Sequence, residues 1–485
     1  MNALPTPAID LRAIEPLIIV IGTALIVLAL DLFVPRRARA ALALASLVGL
    51  GLGMVSSLLL SGEAPLRFMF GAPPMVALDS YAIFFNFLIL TGAALTILAS
   101  VTYLEELQAH HGEFYVLLLC SVAGMMTMAC ATDLITIFLG LEIMSIPMYV
   151  LAGFTRRRMK SNEASLKYFL LGAFASGIFL YGIALIYGTT GTTDLSAIRE
   201  AWKPSPLGLA GLGLLLVGFG FKISCVPFHM WTPDVYEGAP MPVTGFMAVG
   251  VKAAAFAAFL RVFIVGFDMS ADKINQLLWI FAVLTMTVGN VAAIVQGNIK
   301  RMLAYSSIAH AGYILVGMVA GTQAGQAAML FYLMAYTFMN LGAFAVVILI
   351  VRDGEEREEI NDLAALGYAR PALGLAMTLF MLSLGGIPPT AGFMGKFYLF
   401  NAALESGYYW LVIIAVLNSV VSMYYYLKVI TTIYKTEPTR DLRPLAPSTA
   451  CGVALAISTT ATLALGLFPG TPLDIAARSI SALFS

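Results

Sequence analysis

Four ionisable residues stand in the interior of long apolar runs: Glu142 in LGLEIMSIPMYVLAGF, Lys222 in GFGFKISCVPFHMW, Lys252 in FMAVGVKAAAFAAF and Lys396 in GGIPPTAGFMGKFYLF. If those runs cross a membrane, each charge is costly unless it meets a partner or water, so such residues mark ion or proton pathways by default. Amines and a carboxylate are proton carriers, and burial and a nearby opposite charge act in opposite senses on a lysine's hold on its proton. A Glu142–Lys222 pair that closes and opens would switch the lysine between keeping and releasing its proton. That is a coupled titration, in which the motion of one charge sets the proton affinity of the next. The bland alternative is a lysine near a helix end, its stem in lipid and its amine among headgroups. It suits Lys160, Lys428 and Arg261. It suits Lys222 and Lys252 poorly, because mostly apolar stretches lie on both sides of Lys252 and a long one precedes Lys222.

Three further residues are possible relay members. Lys167, in SNEASLKYFLLG, lies about two helical turns inside its run and is placed to modulate Glu142. His310, in YSSIAHAGYILVG, sits on an apolar helix and titrates near neutrality, so it is either a proton carrier between lysines or a hydrogen-bonded core residue. His229 follows Pro227 at the end of a run and reads equally as relay member or interfacial residue, while His110 and His111 fall in an acidic loop and read as solvated. Cys120, Cys130, Cys225 and Cys451 show no CxxC spacing and read as small core residues. No Walker loop, dinucleotide fingerprint or paired His–Cys constellation appears, so no cofactor or metal is expected in this chain.

The elements that must position these residues follow from composition. Of 485 residues 60% are hydrophobic and 11% charged, less than half the charge of a usual soluble domain, at about 25%. The chain reads as one integral membrane domain over 1–485, all-α and polytopic. Net charge is zero, which gives no reason to expect nucleic acid as a partner; membrane lipid is the expected surround. Crossing a bilayer takes about 20 apolar residues. Runs of that kind fall near 14–34, 41–61, 79–101, 115–131, 134–154, 165–188, 207–228, 242–265, 276–296, 301–320, 327–351, 371–405, 409–434 and 448–468, which predicts about fourteen spans. Asp10 and Glu15 precede the first, which lacks the basic start and small-residue cleavage site of a signal peptide.

Lysine and arginine gather in alternate loops. One side holds Arg36, Arg37, Arg39, Arg156, Arg157, Arg158, Lys160, Lys300, Arg301, Arg352, Arg357, Arg370, Lys435, Arg440 and Arg443. The other has a scatter, chiefly Arg12, Arg67, Arg199, Lys203, Lys273 and Arg478. The richer side is read as cytoplasmic, which with an even number of spans puts both termini in the periplasm of an inner membrane.

Two of the runs are interrupted by proline, which frees backbone carbonyls that a membrane tolerates only where protein or a water-filled cavity covers them. The seventh has Pro227 after Lys222; the twelfth has GGIPPTAG before Lys396. Interrupted helices at matching places in two halves point to an inverted repeat. Five-helix units over 115–265 and 276–434 would run in opposite senses, with broken helices 7 and 12 and both lysines on the outward side of their breaks.

The stretch FGFKISCVPFHMWTPDVYEGAPMPVTGFMAVGVKAAAFAAFLR, with DLITIFLGLEIMSIPMYVLAGF, NIKRMLAYSSIAHAGYILVG and LSLGGIPPTAGFMGKFYLF, resembles the proton-translocating, antiporter-like membrane subunits of respiratory complex I, the proton-pumping NADH-quinone oxidoreductase. The proline-rich PFHMWTPDVYEGAPMPV, lysine rather than glutamate at 396, and no long helix beyond the fourteenth span resemble the subunit N type. The resemblance covers about 75–430. It implies that Glu142, Lys222, Lys252 and Lys396 form the proton path and that the chain joins other membrane subunits in an enzyme complex. It also implies that FMN, iron–sulfur clusters and the main quinone site belong to other subunits. A subunit of a multi-subunit sodium–proton antiporter or of a membrane hydrogenase is the alternative.

Overall fold

The computed structural model describes residues 10–35, 39–68, 74–107, 109, 111–267, 272–350, 356–437 and 448–484. Arg36, Arg37, His110, Arg352, Arg440 and Arg443, named above, lie outside them. Twelve of the described helices are long and apolar enough to cross a membrane. The chain runs α1 (Glu15–Asp31), α2 (Ala40–Leu59), α3 (Ser80–Glu106), α4 (Glu113–Cys130), α5 (Leu134–Ala152) and α6 (Met159–Thr190), then the short α7 (Leu195–Ala201). Next come α8 (Pro206–Lys222), α9 (Trp231–Gly238), α10 (Met241–Phe246) and α11 (Lys252–Arg261), then α12 (Asp272–Ile294), α13 (Ile299–Ala320) and α14 (Gln323–Ile348). The rest is α15 (Leu366–Ala369), α16 (Pro371–Gly385), α17 (Ala391–Glu405), α18 (Tyr409–Ile433), α19 (Thr449–Leu467) and α20 (Gly470–Ser481). A π turn at Met247–Val251 splices α10 to α11 within one continuous span, Met241–Gly266.

Polar residues set the helix boundaries. Asp133 ends the apolar stretch that joins α4 and α5 in sequence: its carboxylate accepts from the N–H groups of Ile135 and Thr136, closing the first turn of α5. Asp79, Asp194 and Asn298 cap α3, α7 and α13 in the same way. Proline opens α8 and α16 where its missing N–H costs nothing. A two-stranded hairpin, Leu66–Phe68 with Val76–Leu78, and the short α7 and α20 are additions that apolar-run scanning does not register.

The main apolar core is one continuous cluster running through most helices, with two small clusters beside it, one around Leu66 and Leu78 and one around Phe331 and Ala391. Its most enclosed spans are Met241–Gly266 and α13, with α14 close behind. Around them α1, α2, α6, α12, α18 and α19 turn large apolar side chains outward, among them Leu25, Phe174 and Val420. Such a rim is stable where lipid or partner helices cover it, not in water. The outer helices therefore screen the interior with their apolar faces, while their inward faces add buried polar residues of their own, such as Asn290 and Ser422.

Candidate functional site

The two interrupted runs break where proline predicts. Helix α8 stops on Lys222, and an eight-residue connection from Ile223 to Met230 leads to α9. Within it Ser224 takes a left-handed φ of 63°, unusual for a residue with a Cβ, and its hydroxyl accepts a hydrogen bond from Thr232 at 2.8 Å. The long run at 371–405 proves to be two half-helices, α16 and α17, separated at Gly386, whose φ of 87° suits glycine. Lys396 is in the second half.

All three lysines are buried, at 1%, 3% and 4% exposure for Lys222, Lys252 and Lys396. Each is held by neutral oxygens. Lys222 Nζ donates to Ser145 Oγ at 2.7 Å and to the Tyr149 hydroxyl at 3.4 Å, both on α5, and lies 5.5 to 5.8 Å from the ring centres of Tyr149, Tyr168 and Phe221. Lys252, at the start of α11, donates to the backbone oxygen of Ser307 at 2.6 Å and to its hydroxyl at 2.5 Å. Lys396 Nζ donates to Ser419 Oγ at 2.9 Å and to the carbonyls of Leu384 and Gly385 at 3.1 and 3.0 Å, and sits 4.8 Å from the Tyr313 ring centre. Among the described residues none of the three has a carboxylate within ion-pair distance, 4.0 Å.

Glu142 stands apart from Lys222. It lies one turn before Ser145 on α5, is partly exposed between the outward-facing Leu139, Ile143 and Ile146, and has one carboxylate oxygen buried without a hydrogen-bond partner. Ser145 donates to the Leu141 carbonyl while accepting from Lys222, so the Lys222 amine is bound to α5 one turn along from Glu142 and not to Glu142 itself.

His310 is fully buried on α13. Its Nδ1 meets the Tyr332 hydroxyl at 2.6 Å and its Nε2 the Tyr426 hydroxyl at 3.0 Å; Tyr426 in turn meets Ser306 at 2.5 Å. Since Ser307 holds Lys252 and Tyr313 lies under Lys396, α13 carries polar groups from one lysine to the other. Tyr313 is tied on through Asn290, whose amide donates to its hydroxyl at 3.0 Å and whose oxygen accepts from Tyr425 at 2.9 Å. The hydroxyls of Tyr236 and Tyr336 and both polar atoms of Asn340 are buried without a protein partner in this middle layer. His229 lies in the α8–α9 connection, half-buried, with Nδ1 unpartnered; none of its described contacts reaches a lysine. Lys167 does not approach Glu142: it is 39% exposed and pairs with Glu163 and Asp234, both at 2.7 Å.

Arg261 corrects a sequence expectation. Its guanidinium does not reach headgroups but is 3% exposed, donating to both carboxylate oxygens of Asp79 at 2.7 and 2.9 Å and to the Ala129 carbonyl at 3.0 Å. Bidentate pairing repays the desolvation that a lone arginine could not. Lys428 is half-buried and donates to the Gln296 carbonyl at 3.0 Å; Lys160 is largely exposed and pairs with Glu237 at 3.0 Å.

Sequence reading also missed an ionic network, because it used the loop cations only to orient the chain and gave them no partners. Lys300 is fully buried beside Glu356 at 3.2 Å and Glu358 at 3.4 Å. Arg158 pairs with the same two carboxylates, and Glu356 also binds the Tyr103 hydroxyl. Burial opposes charge on Glu358, but Lys300, the hydrogen bond to Glu356, Arg158 and Lys160 outweigh it and hold its carboxyl well below the usual glutamate range. The legible signal was EEREE in one loop, RRRMK in another and NIKR in a third, all assigned to one side of the membrane.

Comparison with known proteins follows the same contours. A family profile described as "NADH:quinone oxidoreductase/Mrp antiporter, TM" matches residues 131–422. NADH-quinone oxidoreductase subunit N of Trichlorobacter lovleyi is 49% identical over 481 residues, 98% of each chain. A chain in the structure of respiratory complex I from Thermus thermophilus with bound aureothin is 39% identical at TM-score 0.82, covering 96% of this chain and 100% of that one. A chain of the Mrp complex from Dietzia sp. is 22% identical at TM-score 0.85, covering 98% of both, and shares the fold.

Proposed function

The chain belongs to the NADH-quinone oxidoreductase subunit N family, and on that premise we propose that it carries protons across the membrane through Glu142, Lys222, Lys252 and Lys396. It is a multi-pass membrane subunit of an enzyme complex, NADH:quinone oxidoreductase, and its partners are the other membrane subunits. The reading is carried above all by the three lysines: each is buried in the apolar interior yet touches only neutral hydroxyl, carbonyl and ring groups. Such an environment leaves the ammonium poorly compensated, so a modest change in nearby charge decides whether the proton stays.

The order of transfer follows the contacts. Ser145, which holds Lys222, and Glu142 lie one turn apart on α5, so a shift of α5 that brings the carboxylate up to the amine holds the proton, and its withdrawal releases it. From Lys252 the polar groups of α13 lead through Ser307, Ser306 and Tyr426 to His310 and on to Tyr332. Lys396 ends the line. The unpartnered Tyr236, Tyr336 and Asn340 atoms supply the polar partners that bridging waters require between the first pair of lysines and the rest. His229 and Lys167 take supporting places at the edge, His229 at the break and Lys167 on the wetter end of α6. Counted as one span each, the two broken helices raise the twelve long helices to fourteen, with 115–265 and 276–434 as inverted halves and both termini periplasmic in an inner membrane. FMN, iron–sulfur clusters and the main quinone site fall to the other subunits.

The test is Lys222→Ala in membranes containing the whole complex, with assembly followed on native gels. Loss of both NADH-driven proton pumping and quinone reduction in an assembled complex, with NADH oxidation by an artificial acceptor retained, is the expected result. Unchanged pumping makes Lys222 structural and ends the relay reading. Sodium–proton exchange, suggested by the shared fold with the Mrp complex, would show instead as sodium-dependent pumping.

A further inference from the structure

The half-helix α9 is gripped by charge at one end and walls the first lysine at the other. Asp234 accepts from Lys167 Nζ at 2.7 Å and from Arg301 Nη1 at 2.8 Å. One turn on, Glu237 accepts from Lys160 Nζ at 3.0 Å and from Arg301 Nη1 at 2.9 Å. Just beyond the helix, the Ala239 carbonyl accepts from buried Lys300 at 2.7 Å, and the Met241 N–H donates to Tyr103, which is bound to Glu356. An eight-residue helix has little stability of its own, so these ties decide where it sits.

At its other end Trp231 stacks on Tyr168 with ring centres 4.6 Å apart and planes 5° from parallel, and lies 5.1 Å from the Phe221 ring. Its indole N–H donates to the Phe221 carbonyl at 3.0 Å. Tyr168 and Phe221 are two of the three rings that surround the Lys222 ammonium. Lys167 and Tyr168 are neighbours on α6, and Trp231 and Asp234 lie one turn apart on α9. The ion pair and the ring stack therefore fasten the same two helices side by side.

We propose that Asp234 is a positioning residue for Lys222: by pairing with Lys167 and Arg301 it holds α9 against α6, and so keeps Trp231 pressed on the rings that wall the lysine. The inference rests on Lys222 acting in proton transfer. Asp234 itself touches none of Glu142, Lys222, Lys252 and Lys396, and its partners are about one-third exposed, so the pair matters through geometry and not through long-range field.

The experiment uses membranes carrying the whole complex with Asp234→Asn, Asp234→Glu, Trp231→Ala, Trp231→Phe and the Asp234→Asn/Trp231→Ala double variant, beside Lys222→Ala. Quinone reduction and its pH profile are measured per assembled complex, with assembly quantified on native gels. We expect Asp234→Asn and Trp231→Ala each to lose about fivefold and the double variant to be no worse than the weaker single by more than about twofold, since residues that act through one element are not additive. Asp234→Glu and Trp231→Phe should stay within about twofold of the parent, and the two damaging variants should displace the pH profile alike. A normal rate per assembled complex in Asp234→Asn, with or without reduced assembly, overturns the proposal, as do multiplying losses in the double variant. If Lys222→Ala is inactive in the same series while Asp234→Asn is normal, only the positioning claim falls; if Lys222→Ala is itself normal, the relay reading falls first.

Discussion

At the first break the helix stops on its lysine, and Lys222 reaches sideways to hydroxyls on α5; at the second, Lys396 is a turn and a half into the new half-helix and reaches back over the gap. Lys396 thus binds two carbonyls, those of Leu384 and Gly385, that the end of α16 leaves without intrahelical partners. It is both a proton carrier in our reading and a helix cap. Lys222 caps nothing, and its place among Ser145 and three aromatic rings is set by the neighbours α5, α6 and α9. Two lysines that each lie beside a helix break are therefore bound to the protein very differently, and the difference separates their functional cost from their structural one.

The largest effect expected is on activity, at the first break. Lys222→Met should lower proton-coupled quinone reduction by at least about tenfold, as loss of a proton-transfer group does, while leaving the thermal midpoint of the purified complex nearly unchanged. Lys396→Met should lower both, because the Leu384 carbonyl loses its donor, at about 1–3 kcal/mol for a buried unsatisfied group, and the Gly385 carbonyl keeps only Ser419 Oγ at 3.3 Å. Equal thermal midpoints for the two variants would erase the distinction. Gly386→Ala probes the second break from the backbone side: a Cβ there meets a left-handed φ of 87° and the Lys396 stem at 3.0 Å, so about 1 kcal/mol of stability should go, with a displaced lysine. Calorimetry on the variant checks it.

A smaller effect separates the hydroxyls around Lys222. Ser145→Ala removes the 2.7 Å acceptor and should slow turnover more than Tyr149→Phe, which removes only the contact at 3.4 Å and keeps the ring. The smallest concerns the ionic network beside α9. Glu358, lowered in the folded state, contributes stability that is complete above its ordinary value of 4.5 and is lost as pH falls below it toward the lowered one. Thermal melts of the parent should therefore drop on acidification in that range, and Glu358→Gln should flatten the drop while starting lower at neutral pH. An unchanged acid limb in Glu358→Gln would mean that the carboxyl is not held by Lys300 and Arg158.

The membrane character, the positions of nearly every span and the two breaks were all determined by the sequence alone, because each depends on local quantities: a run of apolar residues, a capping aspartate, a proline without an N–H. The same local logic picked out Glu142, Lys222, Lys252 and Lys396, since a charge inside an apolar run is conspicuous without knowing its neighbours. Partners were not legible. That Lys222 is held by Ser145 and not by Glu142, that Arg261 closes on Asp79, that Lys300 is buried among Glu356 and Glu358, and that Lys167 serves Asp234 all join residues far apart in the chain. Whether a charge is solvated, paired or walled by rings depends on which helices pack side by side, and in apolar helices that look alike in sequence only the tertiary arrangement decides this.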